Sequence, residues 1–456
     1  MRAGGEDPAG FTERVAVEVA GLRLADAPGE ALERARLMVL DWLGVTIAGS
    51  AEPSARAVRA VVAADGSAPA ATVAGTTLRA AARSATLANG IAAHALDFDD
   101  TSGWAGGHPS APLISAAVAL AEALGASWDD ALEAIVAGLQ GQARIALAVG
   151  DGPYARGVHT TGTMGTFGAA GACARLLDLD AEAVQRALGL AATQAAGLKV
   201  SFGTAGKHLN AARAGSNGLL AAQLAAEGFT APPDAIEAPQ GFAAAQAVAL
   251  DPERPYAVMG DRLAVESVVF KRHACCHGTH SAIDGILDLR RQRAFAAGDV
   301  EAVRLIVGDA LPDVCGIPEP ATGLEGKFSI RYAATLALSG LPTGPASFTD
   351  AMVRDPDLVA LRDRVHVDPV PGRASNAPTT VEIDLVDGER LVAEVDVLRP
   401  SSSERLADER TALVDKFGQL AAPVVGDDRA AALVDRLMTP AAGAVGDVMA
   451  LAVPEA

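Results

Sequence analysis

Residues 379–398 read TTVEIDLVDGERLVAEVDVL, and the reading of this stretch decides the fold. Thr379–Val386 and Leu391–Leu398 alternate apolar and polar side chains, the period of a half-buried strand. Asp387-Gly388, followed by Glu389-Arg390, supplies the turn of a hairpin between them. Working backwards, Glu301–Val307 and Val365–Asp368 alternate in the same way, so residues 263–400 are expected to form a small α+β domain. Arg399-Pro400-Ser401-Ser402-Ser403 marks its exit.

Outside that window the texture is helical. Ala31–Ile47, Arg79–Ala95, Pro109–Leu124, Trp128–Val149 and Ala181–Leu198 place apolar residues at helical spacing, with Ser127 as an N-cap and Asp129-Asp130 in the turn after it. Glycines at 162, 165 and 168 permit close helix contact. Beyond the hairpin, Glu409–Leu420 and Ala430–Met438 return to helix. The expected architecture is mainly α: a helical domain of residues 1–262, completed by 401–456, with the α+β domain of 263–400 as a lid. A cleft between two such domains is a usual place for a pocket.

Composition narrows the function. A formal charge of −19 repels nucleic acid and anionic membrane alike, so neither is expected as a partner. Four cysteines in 456 residues make no disulfide framework, and MRAGGEDPAG lacks an apolar leader, so a cytoplasmic setting is expected. Alanine-rich runs such as Ala187–Leu198 fall short of a bilayer span. Only five of the 37 basic residues are lysines (Lys199, Lys207, Lys271, Lys327, Lys416), which marks each as a candidate for a task needing a compact ammonium.

The densest chemistry lies in Phe270–Asp284, FKRHACCHGTHSAID, with His273, His277 and His280, Cys275 and Cys276, and Lys271-Arg272. Three readings fit these residues: a zinc site using a cysteine with His277 and His280, an anion-binding and proton-transferring site, and a helix start with surface histidines and core cysteines. A second concentration, Leu96-Asp97-Phe98-Asp99-Asp100-Thr101, places three carboxylates on an apolar run, which is costly unless they are paired. No phosphate-loop Gly-Lys-Ser/Thr follows Gly157–Leu177, which argues against a nucleotide site.

Taken together, Leu40-Asp41-Trp42-Leu43-Gly44, His94 to Thr101, His108-Pro109-Ser110, Gly157 to Thr163, Lys207, Lys271 to His280 and Lys327 to Tyr332 resemble the MmgE/PrpD family. The resemblance implies a homodimeric enzyme that acts on small di- or tricarboxylates without metal or organic cofactor, with its site between the two domains. Asp97, Thr101, His108, His159, Lys207, Lys271 and Tyr332 fall on the family's motifs. Asn210, where many members have histidine, and His273-Ala274, where an aromatic-proline pair is common, depart from them.

By that resemblance Lys207 and Lys271, with Arg272, are expected to grip substrate carboxylates and stabilise enolate-like charge. His159 is the expected general acid or base, His108 the group that handles the second proton, and Asp97 an orienting carboxylate. Thr101, Tyr332, Cys276, His277 and His280 are expected to contact substrate. The activity expected first is that of a hydro-lyase like 2-methylcitrate dehydratase. The alternatives are decarboxylation as by cis-aconitate decarboxylase, epimerisation as by iminodisuccinate epimerase, and carboxylate binding without turnover.

Overall fold

The computed structural model describes residues 10–374, 377–396, 402–439 and 443–455. Helices dominate, and they pack closely because their facing residues are small. A Cβ on Gly138 of helix Trp128–Val149 would lie 2.5 Å from the Gly168 carbonyl oxygen and 2.7 Å from the Ala172 side chain, both on helix Thr160–Leu176. A Cβ on Gly165 would stand 2.5 Å from Pro112 of helix Ser110–Leu124. The abundance of alanine and glycine is therefore a packing device, which brings helix axes closer than leucine-sized contacts allow. Trp128–Val149 is long and apolar enough to cross a membrane, but 94% of its apolar window is buried inside the protein. It serves as a core helix.

The LDWLG motif explains how the two chain ends join. It lies on helix Gly29–Gly49, against which the late helix Leu406–Val425 packs. Lys416 Nζ donates to Asp41 Oδ1 at 2.6 Å, Trp42 Nε1 donates to Ser115 Oγ at 3.0 Å, and Phe417 stands 3.0 Å from where a Gly44 Cβ would be. Lys416 also donates to the carbonyls of Phe98 (2.8 Å) and Lys271 (3.0 Å), and so ties the acidic loop and the Lys271 segment to the helical frame.

The smaller domain is built on a four-stranded sheet in the order Val365–Val370, Val300–Gly308, Thr379–Leu385, Arg390–Val395. The first pair is parallel and the other two are antiparallel. Val381, Ile383 and Leu385 face inward, as their alternation requires, and Gly388 turns the hairpin at φ +88°. The expected strand tail at 397–398 and the exit at 399–401 lie outside the described residues.

Two helices are shorter than their periodicity suggests. The stretch from Arg79 opens with a strand, Arg79–Ala80, paired with Ala71–Thr72, and the helix covers only Ala82–Ala95. The Thr72 amide and hydroxyl and the Arg79 guanidinium all bond the buried Glu122 carboxylate, which holds that strand pair. Helix Ala181–Ala192 likewise stops before Leu198, since residues 195–198 run extended to meet the His159 segment: His159 N donates to Gly197 O at 3.0 Å.

Candidate active site

Helix Ala82–Ala95 ends one residue before the acidic loop, and Asp97 takes a left-handed backbone, φ +51°. Such a conformation is costly for a non-glycine residue unless its surroundings hold it. Here two buried ammoniums do so. Lys207 Nζ, from the start of helix Gly206–Ala226, lies 2.6 Å from Asp97 Oδ1; Lys271 Nζ lies 3.1 Å from the same oxygen and 2.8 Å from the Asp97 carbonyl. All three side chains are at most 3% exposed. Burial works to raise the Asp97 carboxyl, but Lys207 and Lys271 hold it well below its ordinary range. Burial likewise opposes the Lys271 charge, and Asp97 with Asp99 overcomes it, so that ammonium titrates higher than usual.

Just past Asp97 the chain pairs with the Lys271 segment. Thr101–Ser102 and Val268–Val269 form an antiparallel pair, which fixes two segments 170 residues apart in sequence to within a hydrogen bond of each other. Asp99 Oδ2 accepts from His94 Nδ1 at 2.8 Å and lies 3.5 Å from His108 Nδ1. These imidazoles hold Asp99 below its ordinary range against the effect of burial. His108 Nδ1 donates to the Asp100 carbonyl at 2.9 Å. His159 is the N-cap residue of helix Thr160–Leu176, where Asn210 Nδ2 meets its Nδ1 at 3.1 Å. Burial pushes His108 and His159 well below the ordinary imidazole range, and Lys207 adds to the effect at His159, so both rings are neutral near pH 7.

These groups surround one cavity of about 560 Å³. Of the expected residues, Asp97, Thr101, His108, His159, Lys207, Cys276 and His277 line it, and Thr101 Oγ1 is 2.6 Å from His277 Nδ1. The helical domain supplies most of the wall, and residues from Cys276 to Gly278, Val314 and Phe328 supply the rest. The cavity thus sits where the two domains meet.

Four expectations need correction. Lys271 is not among the residues lining this cavity; its ammonium bonds the carboxylate and the carbonyl of Asp97, so it positions that carboxylate. Arg272 is exposed at a bend in the chain and lines other hollows, whereas its neighbour Lys271 is buried. His280 is packed between the rings of His273 and His277, 4.8 and 4.9 Å away, as the first residue of helix His280–Gln292. Tyr332 is a core residue whose hydroxyl donates to Ser347 O at 2.7 Å.

Three groups at or beside the site went unassigned in the sequence. His94 and Asp99 support His108, and the density of acids after a helix-ending histidine was the available signal. Lys327, buried, donates to the carbonyls of Leu96 (2.6 Å) and Ala274 (3.1 Å), and burial pushes its ammonium down to about 8. Its rarity as a lysine and its place at the head of the 327–332 motif were the hints.

As to metal, one ligand atom each from His94, Asp97, Asp99 and His108 comes within 4.8 Å of the others, the one such grouping among the described residues. The zinc reading of a cysteine with His277 and His280 finds no such grouping among the described residues: Cys275 turns to Thr279 Oγ1 at 3.0 Å, and burial pushes its thiol up to about 12. In the His94 group, the two ammoniums on Asp97 already supply the positive charge that a cation would bring, and they would repel it.

A cavity between a helical domain and an α+β domain, walled by buried lysine, aspartate and histidine side chains, has the groups of an acid–base enzyme site. The chain matches the MmgE/PrpD N-terminal domain over residues 13–254 and the MmgE/PrpD C-terminal domain over residues 273–439, and it belongs to the MmgE/PrpD family. It is 27% identical over 438 residues to cis-aconitate decarboxylase of Homo sapiens, covering 89% of this chain and 88% of that one. Cis-aconitate decarboxylase of Aspergillus terreus is 27% identical over 358 residues, 72% of each chain. The cis-aconitate decarboxylase-like protein oryM of Aspergillus oryzae is 28% identical over 353 residues, 70% of this chain and 71% of that one.

Proposed function

We propose that the protein is a lyase of small di- or tricarboxylates that works with its own side chains, and that its reaction is decarboxylation of cis-aconitate or a closely related unsaturated acid. The observation that carries the first part is the Asp97 carboxylate, bridged by two buried ammoniums beside two neutral imidazoles in one cavity. The names of the matched relatives favour decarboxylation.

Loss of carbon dioxide leaves an electron pair conjugated with the remaining double bond and carboxylate, and a proton must then reach carbon. Lys207, the lysine in the cavity wall, holds a substrate carboxylate and the charge that develops on it. His159 is placed to deliver the proton. Asp97, fixed by Lys271, keeps the Lys207 ammonium in position.

Dehydration of a 2-hydroxy tricarboxylate such as 2-methylcitrate is the second reading. It needs a base for the proton on carbon and an acid for the departing hydroxyl, and the cavity offers two imidazoles. The family resemblance also leads us to propose a homodimer, which light scattering in solution measures.

Incubation with cis-aconitate, 2-methylcitrate and iminodisuccinate, followed by mass spectrometry and chiral separation, distinguishes the reactions. Loss of carbon dioxide is expected from cis-aconitate. Loss of water from 2-methylcitrate alone would replace decarboxylation by dehydration, and altered stereochemistry at constant mass would mean epimerisation. No product from any acid would leave a binding protein and sink the enzymatic reading.

A further inference from the structure

Of the three imidazoles that line the cavity, His108 and His159 meet different groups at Nδ1, and the group that meets His159 is the Asn210 amide. For His108 the argument is short. Its Nδ1 lies 2.9 Å from the Asp100 carbonyl, which can only accept, so Nδ1 carries the proton and Nε2 of this neutral, cavity-lining ring is bare.

For His159 it runs through three acceptors around one amide. Asn210 Nδ2 lies 3.2 Å from the Leu198 carbonyl, 3.0 Å from Ser201 Oγ and 3.1 Å from His159 Nδ1. The Ser201 hydroxyl gives its hydrogen to Leu198 O at 2.6 Å, so it meets Asn210 with lone pairs. Turning the amide over would set its oxygen against a carbonyl and a hydroxyl oxygen with no hydrogen left between them, so the nitrogen must face this cluster. A proton on His159 Nδ1 would then point at a donor and find no acceptor. Nδ1 is bare, and Nε2 carries the hydrogen.

We propose that Asn210 is a positioning residue that keeps His159 as an Nε2–H donor while His108 keeps a bare Nε2, so that these two cavity-lining rings rest as one proton donor and one proton acceptor. This rests on the reading of the cavity as a lyase site and deepens it: such a pair is ready to give a proton to one substrate atom and take one from another without first exchanging with water.

The test reads the tautomers directly. Ring-nitrogen NMR shifts are recorded on the full chain labelled with 15N-histidine, with His108→Gln and His159→Gln used for assignment. Bare Nδ1 on His159 and protonated Nδ1 on His108 are expected. Asn210→Asp, which offers an acceptor, should move the His159 proton to Nδ1, lower kcat on the order of 100-fold with KM within about threefold, and shift the pH profile. Asn210→His should keep Nδ1 bare and hold kcat within about tenfold of the parent. If Asn210→Asp fails to fold, Asn210→Ala serves, and the His159 shifts should then show a mixture of tautomers. A protonated Nδ1 on His159 in the parent, or shifts unmoved by both Asp and Ala at 210, would overturn the proposal. If none of the acids is turned over, the lyase reading fails while the ring shifts still decide the tautomers.

Discussion

Asp97→Asn is the substitution that bears most directly on how the cavity is held. Its Oδ1 receives the Lys207 ammonium at 2.6 Å and the Lys271 ammonium at 3.1 Å, and the Lys271 side chain is wholly buried. Asparagine keeps the shape but removes the charge, so two ammoniums are left facing each other out of water. Breaking a buried pair by removing one partner costs about 3–5 kcal/mol. With an unfolding entropy of roughly 2.1 cal/mol/K per residue, a 456-residue chain that unfolds cooperatively loses about 1 °C per kcal/mol, so Tm should fall by about 3–5 °C.

Removing the second charge as well, in Asp97→Asn with Lys271→Met, should recover roughly half of that loss, because one of the unpaired ammoniums is gone. Calorimetry on the parent, both single variants and the double variant reads the cycle. The sign with pH is also fixed. Asp97 titrates below its unfolded value, so its contribution is present above that value and disappears as pH falls through the folded one; the acid limb should be shallower in Asp97→Asn. A Tm for Asp97→Asn within about 1 °C of the parent, or no recovery in the double variant, would refute the reasoning.

Three further outcomes are expected. Burial pushes the Asp100 carboxyl up to about 8 despite hydrogen bonds from Ser110, so its contribution to stability is present below the unfolded value near 4 and is lost as pH rises toward 8; Asp100→Asn should flatten the decline in Tm between about pH 5 and 8. Gly138→Ala would place a methyl 2.5 Å from the Gly168 carbonyl oxygen, and urea unfolding should show a loss of roughly 1–3 kcal/mol with the helical circular dichroism retained. Dialysis against EDTA should leave turnover unchanged; loss restored by an added divalent ion would reassign the His94, Asp97, Asp99 and His108 group to a metal.

Where sequence reading succeeded and failed follows from the range of the forces involved. The hairpin at 379–398 was legible because alternation, a turn glycine and burial of Val381, Ile383 and Leu385 all report on neighbours close in the chain. The capping box at Ser127 and Asp130 is equally local. Helix ends were less legible, because long-range partners set them: the Glu122 carboxylate captures Thr72 and Arg79, and the His159 segment draws out residues 195–198. Lysine scarcity pointed to Lys207 and Lys271 but could not say which faces the cavity.

The amino-acid order by itself determined the mainly helical fold with its α+β insert, the family, and the residue types that gather for chemistry, since periodicity, turn residues and motif spacing are properties of the chain. The tertiary structure alone decided that Lys271 stands behind Asp97 while Lys207 lines the cavity, that Arg272, His280 and Tyr332 stay out of it, and that the Asn210 amide meets His159. These depend on which way a side chain points and which acceptor lies within about 3 Å of it, quantities fixed only when separate segments of the chain are packed together.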